Sequence, residues 1–255
     1  MLETLQPDLV SICSPSEFHY EQMLACFEKD VPMVWLEKPP ATTLADLNHL
    51  IAVQRQRHGK TKVLVNYLRR YVQSFRRLSS LYRNQVLGQC RQIQINYSRG
   101  LELNGSHILD ILFLVVGEET KYRLSWVSST KDWDNPSFSL ALENDVEVLV
   151  SGLSLPYHCI DITLICEAGR AAILYGGMQT YLEERVEHEL FPGFYRLRPS
   201  RKRYLGSKGF GPFMDEALED LLTSHMEGRE PLSNLGTALS TQTLIHEVRD
   251  GQRKR

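Results

Sequence analysis

A lysine that follows a short apolar run has the residue type and position for chemistry. Residues 33–36 are apolar and predict a buried strand, which is followed directly by Glu37, Lys38, Pro39 and Pro40. Proline cannot donate to a strand ladder and disfavours helix in the residue before it, so Lys38 should lie extended at the carboxyl tip of the strand. Ligands of open parallel α/β sheets bind outside such tips, where an ammonium can hydrogen-bond a reacting hydroxyl or carbonyl. The alternative interpretation is a solvated Glu-Lys pair before a turn.

A histidine near the start of an apolar segment is the second candidate for chemistry. A polar loop is expected between residue 100 and Gly105. Residues 106–116 are almost wholly apolar and Gly117 follows, which predicts a buried helix that is capped by Asn104 or Ser106. His107 would then lie in the first turn, where the positive end of a helix lowers the pKa of an imidazole. The neutral ring could accept a proton from a substrate hydroxyl. The alternative is a histidine that only caps or packs the helix start.

Short strands and helices alternate through residues 1–70. Residues 9–13, 33–36 and 62–67 predict strands, with an amphipathic helix in each interval. The first helix is expected to be capped by Ser14 or Ser16 and the second by Thr42 or Thr43. Short connections of this kind imply right-handed parallel crossovers, so this part predicts a partial, N-terminally truncated Rossmann domain with a doubly wound parallel sheet. A dinucleotide fold opens with a strand and a Gly-rich turn. No counterpart precedes Asp8, and the glycines of 206–211 lack the required order.

Strand-like runs come in series through residues 71–255, which predict a second domain. After a helix over residues 71–83, runs at 90–97, 122–128, 138–142, 146–151, 160–166 and 170–175 have connections that are mostly short enough for hairpins. They predict an α/β domain on an open, mostly antiparallel sheet, giving the chain an α/β plus α+β fold class. Helices are expected near 213–222 and over 237–250, and the last could pack back on the first domain. The basic run 195–203 is interpreted as a solvated loop.

Composition and residue spacing argue against several functional classes. The net charge is -2, which implies no general affinity for nucleic acid. Neither a signal pattern nor an apolar stretch of about 18 residues is present, so we expect no membrane partner. The five cysteines form no CxxC and the eight histidines are dispersed, so we expect no metal. Buried thiols and the lack of a signal indicate a cytoplasmic protein.

Four motifs, in order, resemble the Gfo/Idh/MocA oxidoreductases, the glucose–fructose oxidoreductase and inositol dehydrogenase group. They are residues 8–15 with His19 behind them, Glu37-Lys38-Pro39, residues 66–71 with their Arg69-Arg70 pair, and Gly105-Ser106-His107-Ile108-Leu109-Asp110. The resemblance implies a nicotinamide-binding Rossmann domain, here without its first strand and Gly-rich turn. It also implies a C-terminal α/β domain, whose sheet commonly mediates dimerisation in the family.

The resemblance also implies roles for single residues. The family's Glu-Lys-Pro lysine helps to position cofactor and substrate, and its helix-start histidine commonly transfers a proton, which makes Lys38 and His107 the catalytic candidates. Contacts with NAD or NADP are assigned to Ser14, Pro15, His19, Glu37, Lys38 and Arg69, and contacts with substrate to Arg70, Asn104 and Asp110. Many members carry an acid or other polar group four residues before the histidine. Leu103 stands there in this chain, so we expect a differently built proton relay.

The sequence therefore predicts an NAD(P)-dependent oxidoreductase that transfers hydride between nicotinamide and a carbinol carbon of a sugar, polyol or similar molecule. Lys38 and His107 are expected to face one cleft, and the protein is expected to form a homo-oligomer through its C-terminal sheet. A competing hypothesis is a non-catalytic binding or assembly protein that has lost the pyrophosphate-binding turn. A third is that the chain is part of a longer, ordinary enzyme.

Overall fold

The fold is known from a computed structural model that describes residues 2–128, 132–199 and 211–254. In chain order its helices and strands are α1 (Leu2–Leu5), β1 (Leu9–Ile12), α2 (His19–Glu28), β2 (Met33–Leu36), α3 (Leu44–Gln56), β3 (Lys62–Val65), α4 (Gln73–Arg83), β4 (Cys90–Ser98), α5 (Ser106–Val116), β5 (Tyr122–Val127), β6 (Phe138–Leu142), β7 (Glu147–Leu153), β8 (Ile160–Cys166), β9 (Gly169–Leu174), β10 (Gln179–Glu187), β11 (Tyr195–Pro199), α6 (Phe213–Glu227) and α7 (Leu235–Arg253). Over the described ranges, every helix is too short or too polar to cross a membrane.

The chain divides into two compact units. The first is Met1–Tyr71 together with Pro212–Thr243, and the second is Val72–Gly211 together with Leu244–Arg255. Residues 212–243, which the sequence analysis assigns to the second domain, thus group with the first unit. They do so because α6 packs on β3 and β2, and because Asp220 of α6 accepts a hydrogen bond from Tyr71 at 2.7 Å.

The first unit is built on a parallel sheet in the order β1-β2-β3, as predicted. The strands are in register, with Leu9 opposite Met33 and Met33 opposite Lys62. One apolar cluster joins the sheet to α2, α3 and the start of α7, and a second joins it to α6. The apolar β3 is fully buried because helices cover both faces of the sheet, which is why its sequence shows no alternation.

Two helix starts in the first unit differ in how they are capped. The predicted cap of α3 is confirmed, since Thr43 Oγ1 accepts from the backbone N–H of Asp46 at 3.1 Å. The predicted side-chain cap of α2 by Ser14 or Ser16 is wrong. The chain enters α2 through a 3₁₀ turn, Ser16–Phe18, in which the backbone N–H of Phe18 binds the carbonyl of Pro15 at 3.0 Å. This turn occupies donors that a side-chain cap would otherwise satisfy.

The second unit contains a sheet in the order β11-β10-β9-β8-β4-β7-β6-β5. It is mostly antiparallel, as predicted, but β4 and β7 pair in parallel at its centre. The parallel pair arises because α5 and the β5–β6 hairpin intervene before β7 returns beside β4. Short connections alone therefore did not predict this crossover.

Two strands of the second unit were missed by the sequence analysis. β10 was not predicted, and β11 lies inside the basic run that was interpreted as a loop. β11 is an edge strand whose side chains are mostly exposed, and edge strands tolerate charge on both faces, so no apolar alternation marks it. The rest of the basic run, 200–203, and most of the glycine cluster, 206–210, lie outside the described residues.

Candidate functional site

A chain of hydrogen bonds holds the carboxyl ends of β2 and β3 around Lys38. The indole Nε1–H of Trp35 donates to Asn66 Oδ1 at 2.9 Å, and Asn66 Nδ2 donates to the carboxylate of Glu37. The other Glu37 oxygen accepts from the backbone N–H of Lys38 at 3.3 Å. The Glu37 carboxylate is therefore held by the protein, near enough to the ammonium of Lys38 to raise its pKa. Trp35 and Asn66 were not among the predicted site residues. Trp35 lies two residues before the Glu37-Lys38-Pro39 motif, and Asn66 is the first residue of the motif at 66–71.

The electrostatics at this edge leave it with excess positive charge. Burial lowers the pKa of Lys38, the Glu37 carboxylate raises it, and the nearby guanidinium of Arg69 lowers it further. Burial also lowers the pKa of Arg69, and its buried Nε has no hydrogen-bond partner. Two partly buried cations thus lie beside one carboxylate, and a ligand that brings oxygen acceptors or negative charge would be favoured here.

His19 ties together the two loops that follow β1 and β2. Its Nδ1 lies 2.7 Å from the carbonyl oxygen of Pro39, and its Nε2 lies 2.9 Å from that of Ser14. The ring is 1% exposed. Both nitrogens are thus engaged with the chain itself, which favours a positioning role over the direct cofactor contact that was predicted. The hydroxyl of Ser14, next to Pro15, donates to the side chain of Gln22 at 2.7 Å.

The two arginines of the third motif lie in different environments. Arg70 is 1% exposed, and its Nη1 donates to the carbonyl of Leu232 at 3.4 Å within the same unit. Burial of this kind does not fit the predicted contact with substrate, because the guanidinium packs inside the first unit. Arg69 remains partly exposed at the sheet edge. Of the pair, Arg69 is therefore the one that a ligand can reach.

In the second unit, a π-helix over Gly100–Gly105 runs directly into α5. This corrects two predictions, because a polar loop was expected here and α5 has no side-chain cap. The helical backbone already continues through Gly105, so His107 does not lie at a free, positive helix end as the sequence analysis assumed. π-helical turns are rare and often occur at functional sites, so the position of His107 next to one still fits a functional residue.

Close packing explains the glycine two residues before His107. A Cβ on Gly105 would lie 3.1 Å from both Leu101 and the ring of Tyr97. Tyr97 is itself fixed, since its hydroxyl donates to the carbonyl of Pro136 at 2.6 Å. A side chain at this position would require Leu101 or Tyr97 to move by a few tenths of an ångström where the π-helix packs on β4.

The residues near His107 in the chain differ in their burial and in their hydrogen-bond partners. Asp110 is completely buried within α5, and Leu103 is exposed where many family members have an acid. Asn104 is buried, and its amide lies 3.0 Å from Nδ1 of His158 in the loop between β7 and β8. The contacts of Asn104 and Asp110 with substrate remain predictions. Asp110 is not accessible to solvent in this structure.

His158 was missed by the sequence analysis, which found only dispersed histidines. Its loop is fastened to the end of β4, because Ser98 Oγ donates to the carbonyl of Tyr157 at 2.7 Å and accepts from the N–H of Cys159 at 2.9 Å. No local pattern could have found this histidine. Its position depends on the pairing of β4 with β8, more than 50 residues away along the chain.

A depression of about 450 Å³ lies beside the π-helix. It is lined by Arg99, Gly100, Glu102, Leu103, Asp134, Asn135 and Leu155. Burial opposes the ionisation of Glu102, but hydrogen bonds from Arg249 at 2.6 Å hold the pKa of this carboxyl below its usual value. The depression therefore carries a fixed carboxylate, which can accept hydrogen bonds from hydroxyl groups. Among the residues that the structure describes, no cluster of three or more His, Cys, Asp or Glu could hold a metal ion.

Comparison with known families decides the class of the first unit. Residues 1–67 match the model of the GFO_IDH_MocA family, described as an oxidoreductase family with an NAD-binding Rossmann fold. This part of the chain is similar to the Gfo/Idh/MocA oxidoreductases. The resemblance based on four motifs is thereby confirmed. The matched residues include β1, β2 and β3 and the Glu37-Lys38-Pro39 motif.

Individual relatives extend the likeness to the rest of the fold. The chain is 33% identical over 105 residues to D-glucoside 3-dehydrogenase of Escherichia coli, an alignment that spans 41% of this chain and 28% of the relative. An inositol dehydrogenase homolog from Azotobacter vinelandii, complexed with NAD+, aligns with a TM-score of 0.77 over 97% of this chain and 76% of its own, at 15% identity. Aldose-aldose oxidoreductase from Caulobacter crescentus, complexed with glycerol, aligns with a TM-score of 0.76 over 99% of this chain and 79% of its own, at 19% identity. These two structures establish the fold of both units.

Proposed function

We propose that this chain acts in an NAD(P)-dependent oxidoreductase that transfers hydride between nicotinamide and a carbinol carbon of a sugar, polyol or similar small molecule. The observation that carries the proposal is the environment of Lys38. An ammonium whose pKa is lowered by burial lies at the carboxyl end of a parallel strand, in a segment that matches an NAD-binding family.

The residues at the sheet edge fit a nicotinamide cofactor. Lys38 and Arg69 offer donors to ribose or amide oxygens, and Arg69 Nε lacks a partner within the described residues. When bound, the nicotinamide would supply the hydride chemistry, and the protein would supply geometry and charge. Glu37 would keep the ammonium of Lys38 oriented, because its own carboxylate is fixed by Asn66. His19 would keep the loops of Ser14 and Pro39 together.

We assign catalytic roles to two residues. Lys38 would donate a hydrogen bond to a substrate oxygen, and His107 would accept a hydroxyl proton during oxidation. The relay beyond His107 would differ from that of most relatives, since Leu103 stands where an acid or other polar group is common. Asn104 lies one turn before His107 along the chain and its amide contacts His158, and we assign the second step of proton transfer to the imidazole of His158.

The substrate class rests on the relatives. The curated relative is named for action on a D-glucoside, and a second structure of the inositol dehydrogenase homolog contains NADH and myo-inositol. We therefore place the substrate among polyhydroxylated rings. The carboxylate of Glu102 and the guanidinium of Arg99 in the depression beside the π-helix are suited to hydroxyl groups of such a ring.

The first test is titration of the full chain with NAD(H) and NADP(H), followed by turnover on D-glucosides and inositols. Binding is expected at one site per chain, and Lys38→Met is expected to lower turnover by about 10²- to 10⁴-fold, as for loss of a group that acts on the reacting oxygen. Lys60→Met is the matched control, because Lys60 is exposed in the same unit.

Two outcomes would contradict the proposal. The absence of nicotinamide binding by the folded chain would favour a non-catalytic binding protein. Binding with turnover that is equally insensitive to Lys38→Met and Lys60→Met would reject Lys38 as a catalytic residue while leaving the cofactor assignment in place.

A further inference from the structure

Cys90 and Cys166 face each other across two neighbouring strands of the second unit. Cys90 begins β4 and Cys166 ends β8, and the antiparallel register pairs them directly. The next pair along the ladder, Gln89 and Glu167, is joined by a backbone hydrogen bond of 3.0 Å from the N–H of Glu167. In an antiparallel ladder such pairs alternate with non-hydrogen-bonded pairs, whose side chains lie closer together. The two cysteines therefore occupy the site at which opposing side chains approach most closely.

The two thiols influence each other's ionisation. Interaction with the Cys166 thiol lowers the pKa of Cys90, and interaction with Cys90 raises the pKa of Cys166. Cys90 is consequently the sulfur that carries negative charge more readily. Cys90 is 6% exposed and Cys166 is more exposed, at the end of its strand beside the turn to β9. The pair thus combines a nucleophilic sulfur with an opening toward solvent.

The other three cysteines lack this arrangement. Burial raises the pKa of Cys26 and of Cys159 to about 11, so both thiols stay protonated at neutral pH. Cys13 is exposed, and its sulfur lies 3.2 Å from the hydroxyl of Ser11. All five cysteines lie in the part of the chain that the structure describes, and only Cys90 and Cys166 have a thiol neighbour there.

We propose that Cys90 and Cys166 are a redox-active dithiol that a peroxide oxidises to a disulfide between β4 and β8. The thiolate of Cys90 attacks the peroxide, so that an S–O bond forms, the O–O bond breaks and water leaves after protonation. Cys166 sulfur then attacks the sulfenic acid, the S–S bond forms, and the S–O bond breaks. The thiol proton of Cys166 leaves with the oxygen as a second water, so two thiols and one peroxide give one disulfide and two waters.

The backbone is already suited to the bond. Opposed residues at non-hydrogen-bonded sites have Cα atoms about 4.5 Å apart, within the range of about 4.4–6.8 Å that disulfides span. The two strands would therefore not need to separate or slide. A bulge between Cys90 and Gln92 ends the regular ladder next to the pair.

The test uses the full chain with Cys13→Ser, which removes the exposed thiol and prevents links between molecules. Hydrogen peroxide in small excess is expected to lower the intact mass by about 2 Da, the loss of two hydrogens. Peptide mapping without reductant should join the segments of Cys90 and Cys166, and dithiothreitol should separate them. The oxidised form should also unfold at a higher temperature than the reduced form, since the crosslink restricts the unfolded chain.

Two further variants separate the roles of the sulfurs. In Cys166→Ser the reaction should stop at a sulfenic acid on Cys90, which dimedone traps, whereas in Cys90→Ser the remaining thiol should stay reduced and form no crosslink. Circular dichroism of both reduced variants confirms folding. The proposal is overturned if the folded protein keeps both thiols under peroxide, if Cys26 or Cys159 reacts first, or if the crosslink forms only after unfolding in urea.

Discussion

At the scale of single residues, the candidate site depends on side chains that orient other side chains. The amide of Asn66 can lie only one way, because it accepts from the indole of Trp35 and donates to Glu37. Glu37 in turn accepts from the backbone of Lys38. The carboxylate of Glu37 is therefore explained by its partners, and the role that we propose for the motif in chemistry rests on the ammonium of Lys38.

His19 offers a direct test of positioning. His19→Ala removes two hydrogen bonds and leaves the partly buried carbonyls of Ser14 and Pro39 without them, which should cost about 2–4 kcal/mol of unfolding free energy. The affinity for nicotinamide cofactor should fall together with stability if the loops of Ser14 and Pro39 bind the cofactor. Urea unfolding and titration measure the two effects, and His49→Ala, at a histidine bonded only to Tyr20, is the control. Unchanged stability in His19→Ala would contradict the positioning role.

At the scale of elements, the π-helix sets where α5 begins and how His107 is presented. Gly105→Ala would bring a Cβ within 3.1 Å of Leu101 and Tyr97, and overpacking of this kind costs about 1–3 kcal/mol. We expect that loss in thermal or urea unfolding, with a further fall in turnover because His107 is two residues away. Leu103→Ala changes an exposed side chain in the same turn and should shift stability by less than about 0.5 kcal/mol. Equal effects of both substitutions would argue against tight packing at Gly105.

At the scale of the molecule, hydrogen bonds join segments of the first unit that are far apart along the chain. Tyr71 donates to the carboxylate of Asp220 at 2.7 Å and accepts from the backbone N–H of Ser233 at 3.3 Å. Asp220 also accepts from the N–H of Leu232 and from Arg229, both at 2.7 Å. Residues 212–243 are thus fastened to the end of the parallel sheet, although about 150 residues separate the partners in the chain.

Tyr71 also gives the first unit a pH dependence. Burial and the charge of Asp220 raise the pKa of its phenol, so the folded state holds this proton more tightly than the unfolded state does. The stabilisation is full below the unfolded pKa of about 10 and is lost as pH rises above it. Tyr71→Phe should lower the unfolding free energy by about 1.5–3 kcal/mol at pH 7 and weaken its decline above pH 10. Urea titrations at both pH values test this, with the exposed Tyr157→Phe as control.

Exposed side chains at the edge of the large sheet form the surface through which we expect the predicted homo-oligomer to assemble. Tyr181, Tyr195 and Leu197 share one face of β10 and β11 by register, and all three are exposed. An aromatic surface of this kind commonly marks an interface. We expect the chain to self-associate through it, and Tyr181→Glu to reduce the mass measured by light scattering to that of a monomer. Tyr157→Glu is the control, and a wild-type monomer at all accessible concentrations would end the prediction.

The sequence by itself determined the features that depend on near neighbours in the chain. Strand ends before prolines, the Thr43 cap, the glycine ends of α5 and α6 and the family motifs all follow from a few adjacent residues. The fold class was therefore predictable, as were Lys38 and the Glu37-Lys38-Pro39 motif.

Only the tertiary structure decided which distant groups meet. It brought His158 to Asn104 and Cys90 to Cys166, buried Arg70 and Asp110, and assigned residues 212–243 to the first unit. It also replaced a polar loop with a π-helix and revealed β10 and β11. These outcomes depend on strand register and on packing between segments far apart in the chain, and neither local periodicity nor residue spacing contains that information.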